Sequence, residues 1–224
     1  MRTICEAYAT AAQEESTRHT ICLDEKTGIQ ALEALRPLRA MRPGQIEKRE
    51  FEYKRHGTQA LIASFDVTTG TVFGTVGDSR TEADFAAHLE QLLSRDPQGE
   101  WVIILDQLNT HKSEAAVRLV DHYCDLQLEL GVKGKSGILQ SMASRAQFLE
   151  EPTHRIRFIY TPKHSSWLNQ VEIWFSILVR RLLKRASFDS SAALRERILD
   201  FIDYFNRTLA KPFKWTYKGR PLAA

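Results

Sequence analysis

An α/β fold, with a mixed central sheet flanked by helices, is the architecture this sequence predicts, and three observations predict it. Residues 101–105, Trp-Val-Ile-Ile-Leu, form a continuous apolar run typical of a strand covered on both faces. Two β-rich segments, 59–67 and 71–76, flank Thr68-Thr69-Gly70 in a hairpin pattern. Helical periodicities then separate and follow the strands, and such alternation builds layers of helix on sheet.

Taken in order, residues 1–16 are rich in Ala, Glu and Thr, with too few large apolar residues for a domain, and read as a linker or remnant helix. Residues 17–205 form the main domain. From Thr20, the run Thr-Ile-Cys-Leu leads to Asp24 and Glu25, predicting a short buried strand that stops on acids. The basic stretch between Gly28 and Gly57, with Pro37, Pro43 and Gly44, reads as loop with a short strand near Phe51 and Tyr53. After the hairpin, Thr81 and Asp84 have the spacing of a helix cap, and Phe85, His88, Leu89, Leu92 and Leu93 follow at helical intervals. The central strand 101–105 ends on Asp106. A second helix starts near Ser113 and carries Ala116, Val117, Leu119, Val120 and Tyr123. Residues 155–160 predict another strand, closed by Thr161-Pro162, and two long helices follow at about 167–184 and 192–209. Residues 206–224 form a basic aromatic tail.

The composition sets limits. No signal peptide and no run of eighteen apolar residues is present, so no membrane partner and a cytoplasmic location are expected. Cys5, Cys22 and Cys124 are scattered in no zinc-ligand spacing and read as reduced thiols. A net charge of +3 does not by itself identify a nucleic-acid partner. The distribution is more informative: Arg180, Arg181, Lys184 and Arg185 cluster on one segment. From Asn206 onward, Arg207, Lys211, Lys214, Lys218 and Arg220 occur without an acid. Phe213, Trp215 and Tyr217 interleave with them, a mixture that can track a phosphate backbone or, equally, dock on the core.

In open α/β sheets, functional side chains converge outside the C-terminal ends of strands, where Asp24 and Asp106 are both expected. On the helix after the last strand, Leu168, Val171, Phe175, Leu178, Val179 and Leu182 form a stripe roughly 100° wide. Glu172 falls at its edge, where a carboxylate can turn into a cleft beside the core. Three converging carboxylates repel one another and call for a cation. Mg²⁺ suits them, since it takes carboxylate oxygens, waters and substrate phosphates, and two such ions can clamp a phosphoryl transfer.

Asp24-Glu25, Asp106-Gln-Leu-Asn-Thr-His111, and Tyr160-Thr-Pro-Lys-His-Ser-Ser-Trp-Leu-Asn-Gln-Val-Glu172 together resemble the mariner-like transposases of bacterial insertion sequences, over roughly residues 21–206. The resemblance implies a ribonuclease H-like fold and a DDE active site in which Asp24, Asp106 and Glu172 hold two Mg²⁺ or Mn²⁺ ions. It implies hydrolysis of a phosphodiester at a transposon end, then attack of the freed 3′-hydroxyl on target DNA, by a homodimer in the active complex. Asn109, His111 and Asn169 take supporting places, and Glu25 is the neighbour not counted among the ligands. Lys163, His164, Arg180, Arg181, Lys184, Arg207, Lys211, Lys214, Trp215 and Lys218 are the expected DNA contacts, with Trp167 largely structural.

Two departures accompany the match. The gap from Asp106 to Glu172 is longer than is usual in this family, and the excess falls at about 131–152, where Lys133, Lys135 and Arg145 flank a helix expected from Ser136. That insert reads as a DNA-contacting or dimer-forming element or as an elaborated loop. The family's helix-turn-helix end-recognition modules have no room ahead of residue 17, so end recognition is expected outside this chain, and the location narrows to the bacterial nucleoid. Two other readings stay open: a catalytically silent DNA-binding or dimerisation remnant, and a stand-alone ribonuclease H-like nuclease.

Overall fold

The computed structural model describes residues 1–12, 18–36, 43–46 and 52–219. Helix α1 (Arg2–Ala11) leads into β1 (Arg18–Ala34), β2 (Tyr53–Asp66), β3 (Val72–Gly77), α2 (Glu82–Leu93), β4 (Glu100–Leu105) and α3 (Glu114–Tyr123). Next come α4 (Met142–Leu149), β5 (Ile156–Tyr160), α5 (Val171–Leu178) and α6 (Ser191–Thr208). The strands form one mixed sheet in the order β3-β2-β1-β4-β5. The β1–β2 and β2–β3 pairs are antiparallel, and β1–β4 and β4–β5 are parallel.

Side chains alternate across a strand, so the parity of a residue decides its face. On β1 and β4, Cys22, Val102 and Ile104 point into a core closed by α1, α5 and α6. Ile21, Leu23, Ile103 and Leu105 point into a second core closed by α2, α3 and α4. The helices start as their sequences dictate. Thr81 and Asp84 form a reciprocal capping box at α2, and Ser113, Ser141 and Ser190 each accept from a backbone amide at the start of α3, α4 and α6. The hairpin turn is held by Asp66 Oδ1, which accepts from the amides of Thr68 and Thr69 at 2.8 and 3.1 Å. Gly70 is required there, because its φ is +75° and a Cβ would collide with the Lys211 backbone.

Several elements differ from the sequence expectation. The strand expected to stop at Asp24 and Glu25 runs on to Ala34. A register shift between Lys26 and Ile29, with Gly28 at φ +66°, bends β1 without ending it, and pairing with β2 continues to Ala34 opposite Tyr53. The expected loop therefore begins later; its Pro37 and the strand residue Phe51 lie outside the described residues. Within residues 1–16, Arg2–Ala11 form the helix α1, and its Ile4 and Tyr8 are 1% and 2% exposed in the first core. In the insert, the helix expected from Ser136 starts at Met142, after a 3₁₀ turn at Ile138–Gln140. Arg145 is buried there, donating to the carbonyls of Lys112 and Leu139 at 2.6 and 3.0 Å, and Leu139, Phe148 and Leu149 fill the second core. The helix expected over 167–184 is divided into a 3₁₀ turn at Ser166–Leu168, α5, and a π-helical turn at Val179–Leu183.

Candidate active site

The β1–β4 register runs from Arg18 opposite Glu100 to Cys22 opposite Ile104. Asp24 and Asp106 each lie two residues beyond the last pair, with the parity of Cys22 and Ile104 and so toward the same face. That is the face α5 covers, and Glu172 sits in the first turn of α5, half-buried. Asp24 is buried. Burial pushes its carboxyl up to about 7; the Glu25 amide, donating at 2.8 Å, opposes this, while the charges of Asp106, Glu25 and Glu172 add to it. Asp24 thus lies within the field of both partners expected from the sequence.

Asp106 is half-exposed and held in place. His111 Nδ1 lies 2.9 Å from its Oδ1, and the Leu108 amide donates to the same oxygen at 2.9 Å. The hydrogen bond from His111 is the main reason the Asp106 carboxyl stays below the usual range. His111 belongs to the 3₁₀ turn Asn109–Lys112 and is 0% exposed. Its Nε2 lies 2.9 Å from Oε1 of Glu25, whose side chain is 2% exposed. Burial alone would lower the His111 pKa, but the two carboxylates outweigh it and raise the value to about 9. Glu25, odd in parity, faces the second core while Asp24 faces the first. Adjacent acids on one strand therefore do different work: Asp24 faces the cleft, and Glu25 anchors His111, which anchors Asp106. The Glu25 contact with His111 was not anticipated from the sequence; the signal available there was strand alternation.

Asn169 is 0% exposed. Its Nδ2 donates to the Leu23 carbonyl at 2.8 Å and reaches Asp24 Oδ2 at 3.5 Å, and its Oδ1 has no partner among the described residues. Asn109 is exposed, so His111 rather than Asn109 orients Asp106. Lys163 and His164 are exposed at the approach to α5. Trp167 is 50% exposed and meets Tyr217 edge to face at 5.0 Å.

Arg180, Arg181 and Lys184 lie exposed at the far end of the α5 segment. Arg207 is occupied by Asp203 at 2.6 Å. The tail is extended and alternates: Phe213, Trp215 and Tyr217 pack against the first core, while Lys211, Lys214 and Lys218 are exposed. Phe213 stacks on Phe65 at 4.5 Å and Trp215 meets Tyr8 at 5.0 Å, so Trp215, expected to contact DNA, is turned inward. Arg220 lies outside the described residues.

Among the described residues, no three His, Cys, Asp or Glu side chains stand ready as a cage around a single ion. The donor set still fits hard divalent cations. A buried carboxylate whose charge is opposed by two neighbouring carboxylates is stabilised by a cation, and Mg²⁺ sites commonly use one or two protein carboxylates, completed by water and phosphate. No helix among the described residues is long and apolar enough to cross a membrane.

No curated protein sequence matches the chain. Among solved structures it is similar to the pre-cleavage Mos1 transpososome (TM-score 0.55, 14% identity, covering 90% of this chain and 54% of that one). It is also similar to the Mos1 mariner paired end complex with Mn (TM-score 0.53, 15% identity, 90% and 53%) and to the Mos1 Strand Transfer Complex (TM-score 0.53, 14% identity, 90% and 52%). At these identities the likeness establishes the fold, which is ribonuclease H-like. The chain spans about half the length of each of these three chains. The model of the DDE superfamily endonucleases matches residues 19–195, a segment containing Asp24, Asp106 and Glu172, and the chain belongs to that family.

Proposed function

We propose that this chain is the catalytic domain of a mariner-like DNA transposase, hydrolysing a phosphodiester at a transposon end and joining the freed 3′-hydroxyl to target DNA. The observation that supports it is that Asp24 and Asp106 each follow by two residues the last paired positions of adjacent parallel strands, while the charges of Asp106 and Glu172 both act on the buried Asp24 carboxyl. These carboxylates would hold two Mg²⁺ or Mn²⁺ ions, which when bound supply Lewis-acid stabilisation of the charge at the phosphodiester. The Mn complex with paired ends and the strand transfer complex of Mos1 support this use of metal and DNA.

The chain's own groups perform the remaining tasks. Glu25 and His111 keep Asp106 ionised and aimed at the cleft, and Asn169 ties the first turn before α5 to β1 beside Asp24. Lys163 and His164 stand where a DNA phosphate would enter, with Arg180, Arg181 and Lys184 beyond them. End recognition by helix-turn-helix modules outside these residues, a homodimer holding two ends, and action at the bacterial nucleoid complete the proposal. The carboxylates support catalysis over a silent remnant.

Incubation of the chain with end-sequence duplex and Mg²⁺ or Mn²⁺ should nick the DNA, and Asp106→Asn should lower the rate by about 10³-fold or more, on the scale of losing one component of an electrostatic site. Equal rates would remove Asp106 from the mechanism. Preference for RNA:DNA hybrid over duplex DNA would assign a nuclease instead.

A further inference from the structure

At the end of α5 away from Glu172, the π-helical turn and the loop after it face α6 across an open groove of about 670 Å³. Its walls carry Arg180, Arg181 and Arg185 from one side and Arg197 and Tyr204 from the other, with Asp200 as the single acid among them. Three facts separate this patch from an ordinary solvated face. Several exposed arginines elsewhere pair with an acid one turn away: Arg2 with Glu6, Arg118 with Glu114 and Arg207 with Asp203, at 2.6 to 3.0 Å. Among the described residues, none of the four groove arginines has such a partner, although Asp200 lines the same groove. The walls converge from two elements, and Arg197, Asp200, Phe201 and Tyr204 repeat on one face of α6. Tyr204 is 47% exposed, leaving an aromatic surface beside the guanidinium groups.

Planar guanidiniums without a carboxylate partner at a concave surface suit phosphate oxygens, which they can bind in bidentate fashion. Glu172 and Arg181 are nine residues apart, about 13 Å along a helix axis, and a DNA strand advances about 3.4 Å per nucleotide. We propose that this groove binds the phosphate backbone of duplex DNA about four nucleotides from the phosphodiester at the carboxylates. The proposal rests on the transposase reading and adds Arg185, Arg197 and Tyr204 to its contacts. The groove steadies the flanking duplex while the carboxylates address the reacting bond.

Binding can be tested without cleavage, so a failure here is distinguishable from a failure of the catalytic reading. In an Asp106→Asn background without divalent metal, anisotropy of a labelled end-sequence duplex is measured across a salt series. Arg181→Ala with Arg197→Ala should weaken binding about tenfold or more at low salt and reduce the slope of log K against log salt by about 2, one per lost phosphate contact. Arg118→Ala with Arg195→Ala removes the same charge outside the groove and should change affinity less than about twofold, the difference being local contact rather than net charge. Circular dichroism checks that each variant is folded. Equal losses in the two doubles, or no duplex binding by the parent chain, would overturn the proposal. So would a groove double that alters sedimentation and leaves DNA affinity unchanged, since the groove would then hold a second copy of the chain.

Discussion

His88 and His111 are both 0% exposed, and both lie against a phenylalanine ring: Phe73 at 4.9 Å from His88 and Phe85 at 4.7 Å from His111. Their partners differ. His88 lies between two hydroxyls, Ser64 Oγ at 2.8 Å and Thr75 Oγ1 at 2.9 Å, and burial drives its pKa down to about 3. His111 lies between Glu25 and Asp106 and rises to about 9 despite the same burial. Hydroxyls can donate or accept, so they satisfy a neutral imidazole in either tautomer, whereas two carboxylates demand two N–H donors. One histidine therefore ties a helix to the sheet as a neutral group, and the other is a buried cation that fixes the Asp106 carboxylate. The difference lies in the partners, not in the histidine or its depth.

Removing Glu25 should break this contrast most severely. In Glu25→Ala the imidazolium keeps one carboxylate in a dry site, and loss of a partner from a buried ion pair costs on the order of 3–5 kcal/mol, measurable by urea unfolding. Nicking should also fall about 10- to 100-fold, the scale seen when the group behind a metal ligand is lost. Glu25→Gln retains an acceptor without the charge and should fall between wild type and Ala on both measures. A Glu25→Ala protein as stable and active as wild type would show that Asp106 is held without this chain of contacts.

Titration should sharpen the contrast, because the two histidines contribute with opposite sign. His88 has a folded pKa near 3 against 6.5 unfolded, so its contribution is present above 6.5 and lost as pH falls toward 3. Over that window the native state refuses a proton the unfolded chain accepts, worth about 1.4 kcal/mol per pH unit. His111, raised to about 9, contributes fully below 6.5 and loses that contribution as pH rises through 9. Urea unfolding in EDTA should show the wild-type minus His88→Gln difference growing with pH from 3 to 6.5. The wild-type minus His111→Gln difference should shrink from 6.5 to 9. Parallel curves would mean that both rings carry the same charge.

Asp106 was legible because it follows a continuous apolar run, and Glu172 because it borders the stripe of α5. Their neighbours were not. The Glu25–His111 contact spans 86 positions, and only the fold brings the two together. The stretch from Gly28 reads as a loop, yet β2 supplies backbone partners on one side of β1 far beyond the last β4 pair, so the strand continues through the irregularity. His88 was read from helical spacing as a member of an apolar stripe, and it does lie in the core; its hydroxyl partners on β2 and β3 were invisible from α2. In the tail the two-residue alternation of aromatic and basic side chains was plain, but which set faces the protein depended on Tyr8, Phe65 and Trp167, all distant in sequence.

The smallest effect tests the neutral side of the comparison. Ser64→Ala removes one hydroxyl from His88 and leaves a ring nitrogen unpartnered beside an apolar wall. With no charge stranded, the cost should be about 1–2 kcal/mol, the range for a neutral hydrogen bond whose partner stays buried. It should also be the same at pH 7 and pH 8, because His88 is uncharged at both. If Ser64→Ala instead matched the loss in Glu25→Ala, the imidazole of His88 would be behaving as a charged group. Stability would then follow from burial alone, and the carboxylates around His111 would lose their special standing.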